Sequence, residues 1–414
     1  MKYGLIGSKL DHSFSKAIHE KLGDYEYELH ALTEDEFKKF MKEKAFLAIN
    51  VTIPYKEKVI PYLNIVSKHA QLIKAVNTVI NKEGKLYGCN TDYFGLKALI
   101  EKLNLNLRDK KVLILGTGGT SKTAQVVISE LGCTNFYLVS RTKKSEERII
   151  SYEEVKALHA DVDVIINTTP LGMFPNNNEV PLDITGFDRL VAIVDVIYNP
   201  LRTKLLSQAK KRGISYIGGL YMLVAQAYYA SCLFQDKLLD LELIDQIYHD
   251  LLLEKENIVL TGMPSCGKST IGKILASRLH KDFVDTDILI QEQIGMSIKD
   301  YIKMYGEEAF REVEKVVVRE ISKKNNQVIA TGGGVILCDE NIENLNQNGK
   351  IVFLNRKLDN LIPTDDRPLT SSKKMLEEVY QKRLPVYQTT CEFMVDNNQE
   401  IEKVTDEIVK KVTQ

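Results

Sequence analysis

Ile258-Val259-Leu260-Thr261-Gly262-Met263-Pro264-Ser265-Cys266-Gly267-Lys268-Ser269-Thr270 joins a short apolar run to a glycine-rich turn and then to a helical pattern. The run reads as a buried strand, and the turn fills every fixed position of GxxxxGK[ST]. Such glycines let backbone N–H groups turn inward around phosphate oxygens, and the start of the following helix adds positive potential. Lys268 can reach the outer phosphates of a nucleoside triphosphate, and the Ser269 hydroxyl suits Mg²⁺. A chance glycine turn is the bland alternative, and the strand–loop–helix context disfavours it.

Downstream, Asp285-Thr286-Asp287 follows the apolar edge Phe283–Val284. Carboxylates two apart at a strand end point the same way, so one suits a magnesium shell and the other a substrate hydroxyl; solvated loop acids are the alternative. Arg311 and Glu314 share a helix face at i,i+3, as a surface pair also would. Gly332-Gly333-Gly334 follows an expected strand, Val328–Ala330, and lets backbone approach a ligand. Arg367 and Lys382-Arg383 are individually weak late cations.

Upstream, short apolar runs alternate with helical patterns, which is the α/β signature. Expected strands are Lys2–Ile6, Glu26–Ala31, Phe46–Val51, Val112–Leu115, Asn135–Val139, Val164–Asn167 and Leu190–Val196 in the first half, then Ile258–Thr261, Val328–Ala330 and Ile351–Leu354. Thr33-x-x-Glu36 and Ser151-x-x-Glu154 read as capping boxes. Leu220–Leu253 reads as helical and closes the first half. The 414 residues exceed what one core usually organises, so two or three domains are expected. With 55 basic against 56 acidic residues, there is no electrostatic reason to expect nucleic acid or an anionic membrane as partner. No apolar run approaches the roughly 20 residues of a bilayer span, and the first residues do not read as a signal peptide, so a cytoplasmic protein is the expectation. The six scattered cysteines form no CxxC pair, so a structural metal site is not expected.

The first half has its own glycine turn, Gly116-Thr117-Gly118-Gly119-Thr120-Ser121, after Val112–Leu115. Ser121 stands where a third glycine is usual, so a plain strand–turn–helix remains open. The next strand ends in Ser140-Arg141-Thr142-Lys143-Lys144. Cations there favour the 2′-phosphate of NADP over the free hydroxyl of NAD, though a solvated charge run has the same composition. Farther upstream lie Ser13 and Ser15, Thr52 and Lys56 in Asn50-Val51-Thr52-Ile53-Pro54-Tyr55-Lys56, Asn77 and Asp92. Each alone is ordinary. Together they suit a small polyhydroxylated acid and supply one Lys–Asp pair for proton transfer.

The ordered set GMPSCGKST, DTD, EEAFRxxE, GGGV, DDRPL and KRLPVY, across Glu256–Gln414, resembles shikimate kinase. The resemblance implies that Gly262, Ser265, Cys266, Gly267, Lys268, Ser269 and Thr270 hold ATP, with Mg²⁺ on Ser269 and Asp285. It implies that Asp287 contacts the attacking hydroxyl and that Arg311 and Arg383 hold the substrate carboxylate. Gly333 and Gly334 then lie against the ring, and Arg367 sits on a lid over the transferring phosphate. The run 360–366 is shorter than the family's lid and lacks the arginine that stacks on adenine.

HSFSKAIHE, NVTIPYK, AVNT, NTD, GTGGTSK, SRT, NTTPLGM, DVIYNPLRT and GGLYMLVAQA, over roughly Met1–Leu253, resemble shikimate dehydrogenase. By that resemblance Ser13 and Ser15 bind the substrate carboxylate, while Asn77, Asp92 and Gln226 bind ring hydroxyls with Thr52 and Tyr198 nearby. Lys56 is catalytic and Asp92 orients it. Gly116, Gly118 and Gly119 carry the pyrophosphate; Arg141, Thr142 and Lys143 the 2′-phosphate; Gly219 and Met222 flank the nicotinamide. Lys16, Ser140 and Ser145 depart from the residues usual in the family.

The two resemblances imply an α/β chain with a substrate domain (1–103 and 214–253), a Rossmann NADP-binding domain (104–213) and a P-loop kinase domain with a parallel sheet (254–414). They imply a bifunctional enzyme using NADP(H), ATP and Mg²⁺ on small molecules: reduction of 3-dehydroshikimate to shikimate, then its phosphorylation. Quinate oxidation with NAD is an alternative that Arg141 speaks against. A non-catalytic sensor is another, and it should lack Lys56, Asp92, Lys268 and Asp287, all of which are present. The sequence leaves the oligomeric state open.

Overall fold

Both glycine-rich turns sit at the carboxyl ends of parallel strands. The computed structural model describes residues 1–8, 10, 14–142, 148–362 and 372–413, and the chain divides into two units, Met1–Asp250 and Leu251–Gln414.

The first unit holds two sheets. One contains β1 (Tyr3–Gly7), β2 (Tyr27–Ala31), β3 (Ala48–Val51), β4 (Ile65–Val66), β5 (Thr78–Lys82) and β6 (Lys85–Cys89), in the order β2-β1-β3-β5-β6-β4. β1 pairs parallel with β2 and β3, whereas β5 runs antiparallel to both β3 and β6. Its hairpin turns on Glu83-Gly84, both at positive φ (53° and 80°), the backbone of a tight primed turn. The sequence reading did not anticipate this hairpin, because lysines at both strand ends blur the alternation. The other sheet contains β7 (Lys111–Leu115), β8 (Asn135–Ser140), β9 (Ile149–Ser151), β10 (Val164–Asn167), β11 (Ala192–Asp195) and β12 (Ser215–Ile217). Its order, β12-β11-β10-β7-β8-β9, is all parallel and doubly wound, with the strand order reversing beside β7. Helices cover both faces of such a sheet, so its strands read as continuous apolar runs; Leu113, Leu115, Ile165 and Ile193 are fully buried.

One expectation needs correction here. The boundary at 213 falls short, because β12 pairs with β11 and extends the second sheet to Ile217. The stretch Leu220–Leu253 is helical as expected, in two helices, Leu220–Gln235 and Glu242–Lys255. Asp236, at φ 50°, closes the first, and the Asp240 carboxylate accepts the Glu242 N–H at 3.0 Å. Ile244, Ile247 and Leu251 continue the buried face across the break, so periodicity alone conceals it. The helix Leu220–Gln235 packs on Thr91–Glu101, returning the end of this unit to its first sheet. Both capping boxes form: Glu36 and Glu154 each accept from the backbone N–H of their cap, Thr33 and Ser151, at 2.8 Å.

The second unit is one parallel sheet of β13 (Asn257–Thr261), β14 (Asp282–Asp285), β15 (Gln327–Ala330), β16 (Gly349–Asn355) and β17 (Phe393–Asp396), in the order β14-β15-β13-β16-β17. Val259, Leu260, Ile329 and Val352 form its buried centre. No helix among the described residues is long and apolar enough to cross a membrane.

Candidate functional site

In the first unit a cleft of about 470 Å³ is lined by strand residues of the first sheet, Leu5, Asn50 and Val51, and by residues such as Thr120 and Val196 that follow strands of the second. β3 ends in Val51, and the short helix Tyr55–Lys58 that follows presents Lys56. The helix Thr91–Glu101 starts with its N-cap Asn90 and puts Asp92 in its first turn. Lys56 Nζ donates to Asp92 Oδ2 at 2.6 Å, and Asn77 Nδ2 donates to Asp92 Oδ1 at 2.9 Å. The Thr91 backbone N–H holds the Asn77 carbonyl at 2.7 Å, which fixes the amide's orientation. Ser15, Thr52, Tyr198, Gly219, Met222 and Gln226 line the same cleft. Burial pushes the Tyr198 hydroxyl up from its usual pKa. Lys56 and Asp92 are 29% and 19% exposed, so the ammonium is open to a ligand while its partner is held.

Among the other members of this cleft, Asn50 was read only as a polar residue at a strand end, and Thr120 and Val196 were not singled out. Asn50 is buried; it accepts from Tyr27 Oη at 2.8 Å and donates to Thr78 Oγ1 at 3.1 Å. Its place in the Asn-Val-Thr run at the end of β3, beside Thr52 and Lys56, was the available signal. Ser13 and Lys143 lie outside the described residues.

Thr120, which lines the cleft, lies just past the carboxyl end of β7. Gly116 follows that strand at φ 102°, and the helix Gly119–Glu130 begins on Gly118 with no side-chain cap and no acid in its first turn. Side-chain carbons placed on Gly118 or Gly119 would meet nothing within 4 Å. Uncapped N–H groups at a helix start, with open space before them, suit a pyrophosphate. Ser121, in place of the third glycine, is buried and small. Arg141 and Thr142 leave the end of the neighbouring strand β8 exposed, beside this turn. That is the position of a 2′-phosphate contact. The residues present fit NADP.

In the second unit the turn after β13 places Ser265 and Gly267 at positive φ (62° and 93°) and starts the helix Lys268–Leu279 without a side-chain cap or an acid in its first turn. Lys268 Nζ is held by the turn's own carbonyls, Gly262 O at 2.9 Å and Met263 O at 3.0 Å, with Cys266 buried beneath. Thr270 follows in the same first turn. Ser269 Oγ donates to Asp285 Oδ2 at 2.6 Å. One hydroxyl and one carboxylate fit Mg²⁺, which commonly takes one or two protein oxygens and completes its shell with phosphate and water.

The kinase-like substrate residues converge beside this turn. A side-chain carbon on Gly332 would lie 2.6 Å from Asp287 Oδ1, and one on Gly334 2.5 Å from both Arg311 Nη atoms, so a larger residue at either position would displace these side chains. Arg311 Nη1 pairs with the buried Glu314 at 2.9 Å, and its other arm with Glu307 at 2.8 Å. Burial raises the Glu314 pKa, and the Arg311 guanidinium opposes that. Arg383 donates to Gly333 O at 3.0 Å. The buried Tyr387 hydroxyl lies 2.6 Å from Gly333 O and 2.9 Å from Gly262 O, a link that sequence reasoning did not single out. Its position in Lys-Arg-Leu-Pro-Val-Tyr, one helical turn after Arg383, was the signal. Arg367 lies outside the described residues.

Comparison with known proteins gives the following. Residues 5–79 match the family model of the shikimate dehydrogenase substrate binding domain, and residues 264–413 match that of shikimate kinase. The shikimate dehydrogenase (NADP(+)) of Clostridium perfringens strain 13 is 36% identical over 265 residues, covering 60% of this chain and 97% of that protein. The crystal structure of shikimate dehydrogenase 1 from Peptoclostridium difficile superposes with a TM-score of 0.55 at 36% identity, over 61% of this chain and 98% of that one. Shikimate 5-dehydrogenase from Thermus thermophilus, solved with NADP(H) and shikimate, gives 0.55 at 29% identity, over 60% and 99%.

Proposed function

Since the chain belongs to the shikimate dehydrogenase family over its N-terminal part and carries a shikimate kinase domain after it, we propose that it catalyses two consecutive steps: reduction of 3-dehydroshikimate to shikimate with NADPH, then phosphorylation of shikimate to shikimate 3-phosphate with ATP and Mg²⁺. The observation that carries the first step is the Lys56–Asp92 pair, 2.6 Å apart in a cleft that is also lined by Thr120, two residues past Gly118. We assign 1–103 and the helices after Ile217 to the substrate side, 104–217 to the NADP side, and the chain from 254 onward to the kinase.

When bound, NADPH supplies a hydride and ATP a phosphoryl group. In the first unit Lys56 faces the substrate carbonyl. Its ammonium stabilises the negative charge that develops on that oxygen and donates the proton that completes the alcohol; in reverse, the neutral amine accepts it. Asp92 holds Lys56 in place, and Asn77 holds Asp92. Ser15 and Gln226, which both line the cleft, position the acid and a ring hydroxyl. In the second unit Lys268 leaves the turn carbonyls to meet the outer phosphates. Asp287 orients the attacking hydroxyl, Arg311 and Arg383 grip the carboxylate, and Ser269 with Asp285 holds the metal. Such catalysis consists mostly of positioning and charge stabilisation.

The test is a coupled assay on the full chain with 3-dehydroshikimate, NADPH and ATP·Mg²⁺. Shikimate 3-phosphate should form, and leaving out ATP should stop the reaction at shikimate. Reduction without any phosphorylation of added shikimate would defeat the second assignment alone.

A further inference from the structure

Lys122 stands in the helix Gly119–Glu130 just beyond the open glycine turn, two residues past Thr120, which lines the cleft. Its Nζ lies 3.0 Å from Glu57 Oε1. Glu57 directly follows Lys56 in the helix Tyr55–Lys58. The ion pair thus spans from the cofactor-turn helix to the segment that bears the proton-transfer lysine. Both partners are well exposed, 42% and 62%, so the pair is individually weak and easily exchanged. Helical side chains lean back toward the start of their own helix. Lys122 follows Gly119 by three residues, so a stem leaning back along the helix would carry its ammonium toward the Gly118–Gly119 N–H groups, where an anion is favoured. One ammonium then has two candidate anions: the Glu57 carboxylate it holds, and the pyrophosphate of a dinucleotide bound on the turn.

We propose that Lys122 is a pyrophosphate ligand of the dinucleotide and that Glu57 is its internal competitor, holding the ammonium until the cofactor displaces it. The proposal rests on reading Gly116–Gly119 as the cofactor turn. A static latch joining the two helices predicts that loss of either partner weakens the site. A competitor predicts opposite signs.

The experiment is calorimetric titration of NADP⁺ and of NAD⁺ into the full chain and its variants, with folding checked by circular dichroism. Lys122→Gln should weaken both dinucleotides about tenfold, equivalent to about 1.4 kcal/mol, because the pyrophosphate is common to both. Glu57→Gln should tighten both about two- to fivefold. In the Lys122→Gln background, Glu57→Gln should change nothing further. Arg141→Ala, by contrast, should weaken NADP⁺ alone. The proposal is overturned if Glu57→Gln weakens binding, if its effect persists without Lys122, or if Lys122→Gln moves either affinity by less than about twofold. A wild-type chain that binds NAD⁺ as tightly as NADP⁺ would undo the assignment of Arg141 and leave the Lys122 comparison intact.

Discussion

Asp92→Asn is the sharpest perturbation of the first site, because it keeps the shape of the side chain and removes its charge. Both carboxylate oxygens are in use, one for Lys56 Nζ at 2.6 Å and one for Asn77 Nδ2 at 2.9 Å. An asparagine has one acceptor and must turn its NH₂ toward one of those two donors. Rotating the Asn77 amide to relieve the conflict would break its bond from the Thr91 N–H at 2.7 Å. Losing a charge-assisted bond costs about 1.5–3 kcal/mol, and an unsatisfied donor about 1–3 kcal/mol more. Lys56 is 29% exposed, so water recovers part of this. A net loss of about 3–4 kcal/mol corresponds to roughly 10²–10³ in kcat/KM. Initial rates of NADPH oxidation across 3-dehydroshikimate concentrations should show that loss mainly in kcat. Phosphorylation of added shikimate by the same preparation should stay at the wild-type rate. Retention of activity to within about tenfold, or an equal fall in phosphorylation by the folded protein, would refute the role given to this pair.

Lys56→Ala should abolish NADPH oxidation and spare ATP-dependent phosphorylation, while Lys268→Ala should do the reverse; loss of both activities from one folded variant would contradict separate sites. Gly334→Ala places a methyl group against the Arg311 guanidinium and should raise the KM for shikimate in phosphorylation about tenfold or more, with the KM for ATP unchanged. Tyr387→Phe removes the hydroxyl shared by Gly262 and Gly333 and should weaken both ATP and shikimate in the phosphorylation assay. His19 is fully buried, stacks on Tyr27 at 4.0 Å, and is pushed down to a pKa of about 3 by burial. The folded state leaves it neutral where the unfolded chain takes up a proton, so stability is lost as pH falls from about 6.5 toward 3. That amounts to about 2 kcal/mol between pH 7 and pH 5. Hydrogen exchange of the β1 and β3 amides should record this loss, and His19→Gln should flatten it.

What the sequence made legible were features whose physics is local. The phosphate turn, the glycines after β7 and both capping boxes each fix their conformation within a few residues, and each stands where it was read. The inner parallel strands were legible because burial on both faces makes them apolar, whereas the short or half-exposed edge strands β4, β9, β12, β14 and β17 were not among the strands expected. The β5–β6 hairpin escaped, since its stability lies in pairing with β3 and its own residues carry charge at the turn. The break at Asp236 escaped because two helices bury one continuous face. In the site, residues with a chemical identity such as Lys56 or Asp287 stood out. Asn50 stood out only as a polar residue at a strand end, and Tyr387 did not stand out, because its role depends on carbonyls that only the fold brings near. Val196 gives no chemical cue at all.

The Tyr387 phenol carries a single proton and stands between two carbonyls. Whatever share of that proton Gly333 takes is withheld from Gly262. The loop proposed to meet the acceptor and the loop proposed to meet the donor therefore share one hinge pin, and a substitution in either is felt by the other.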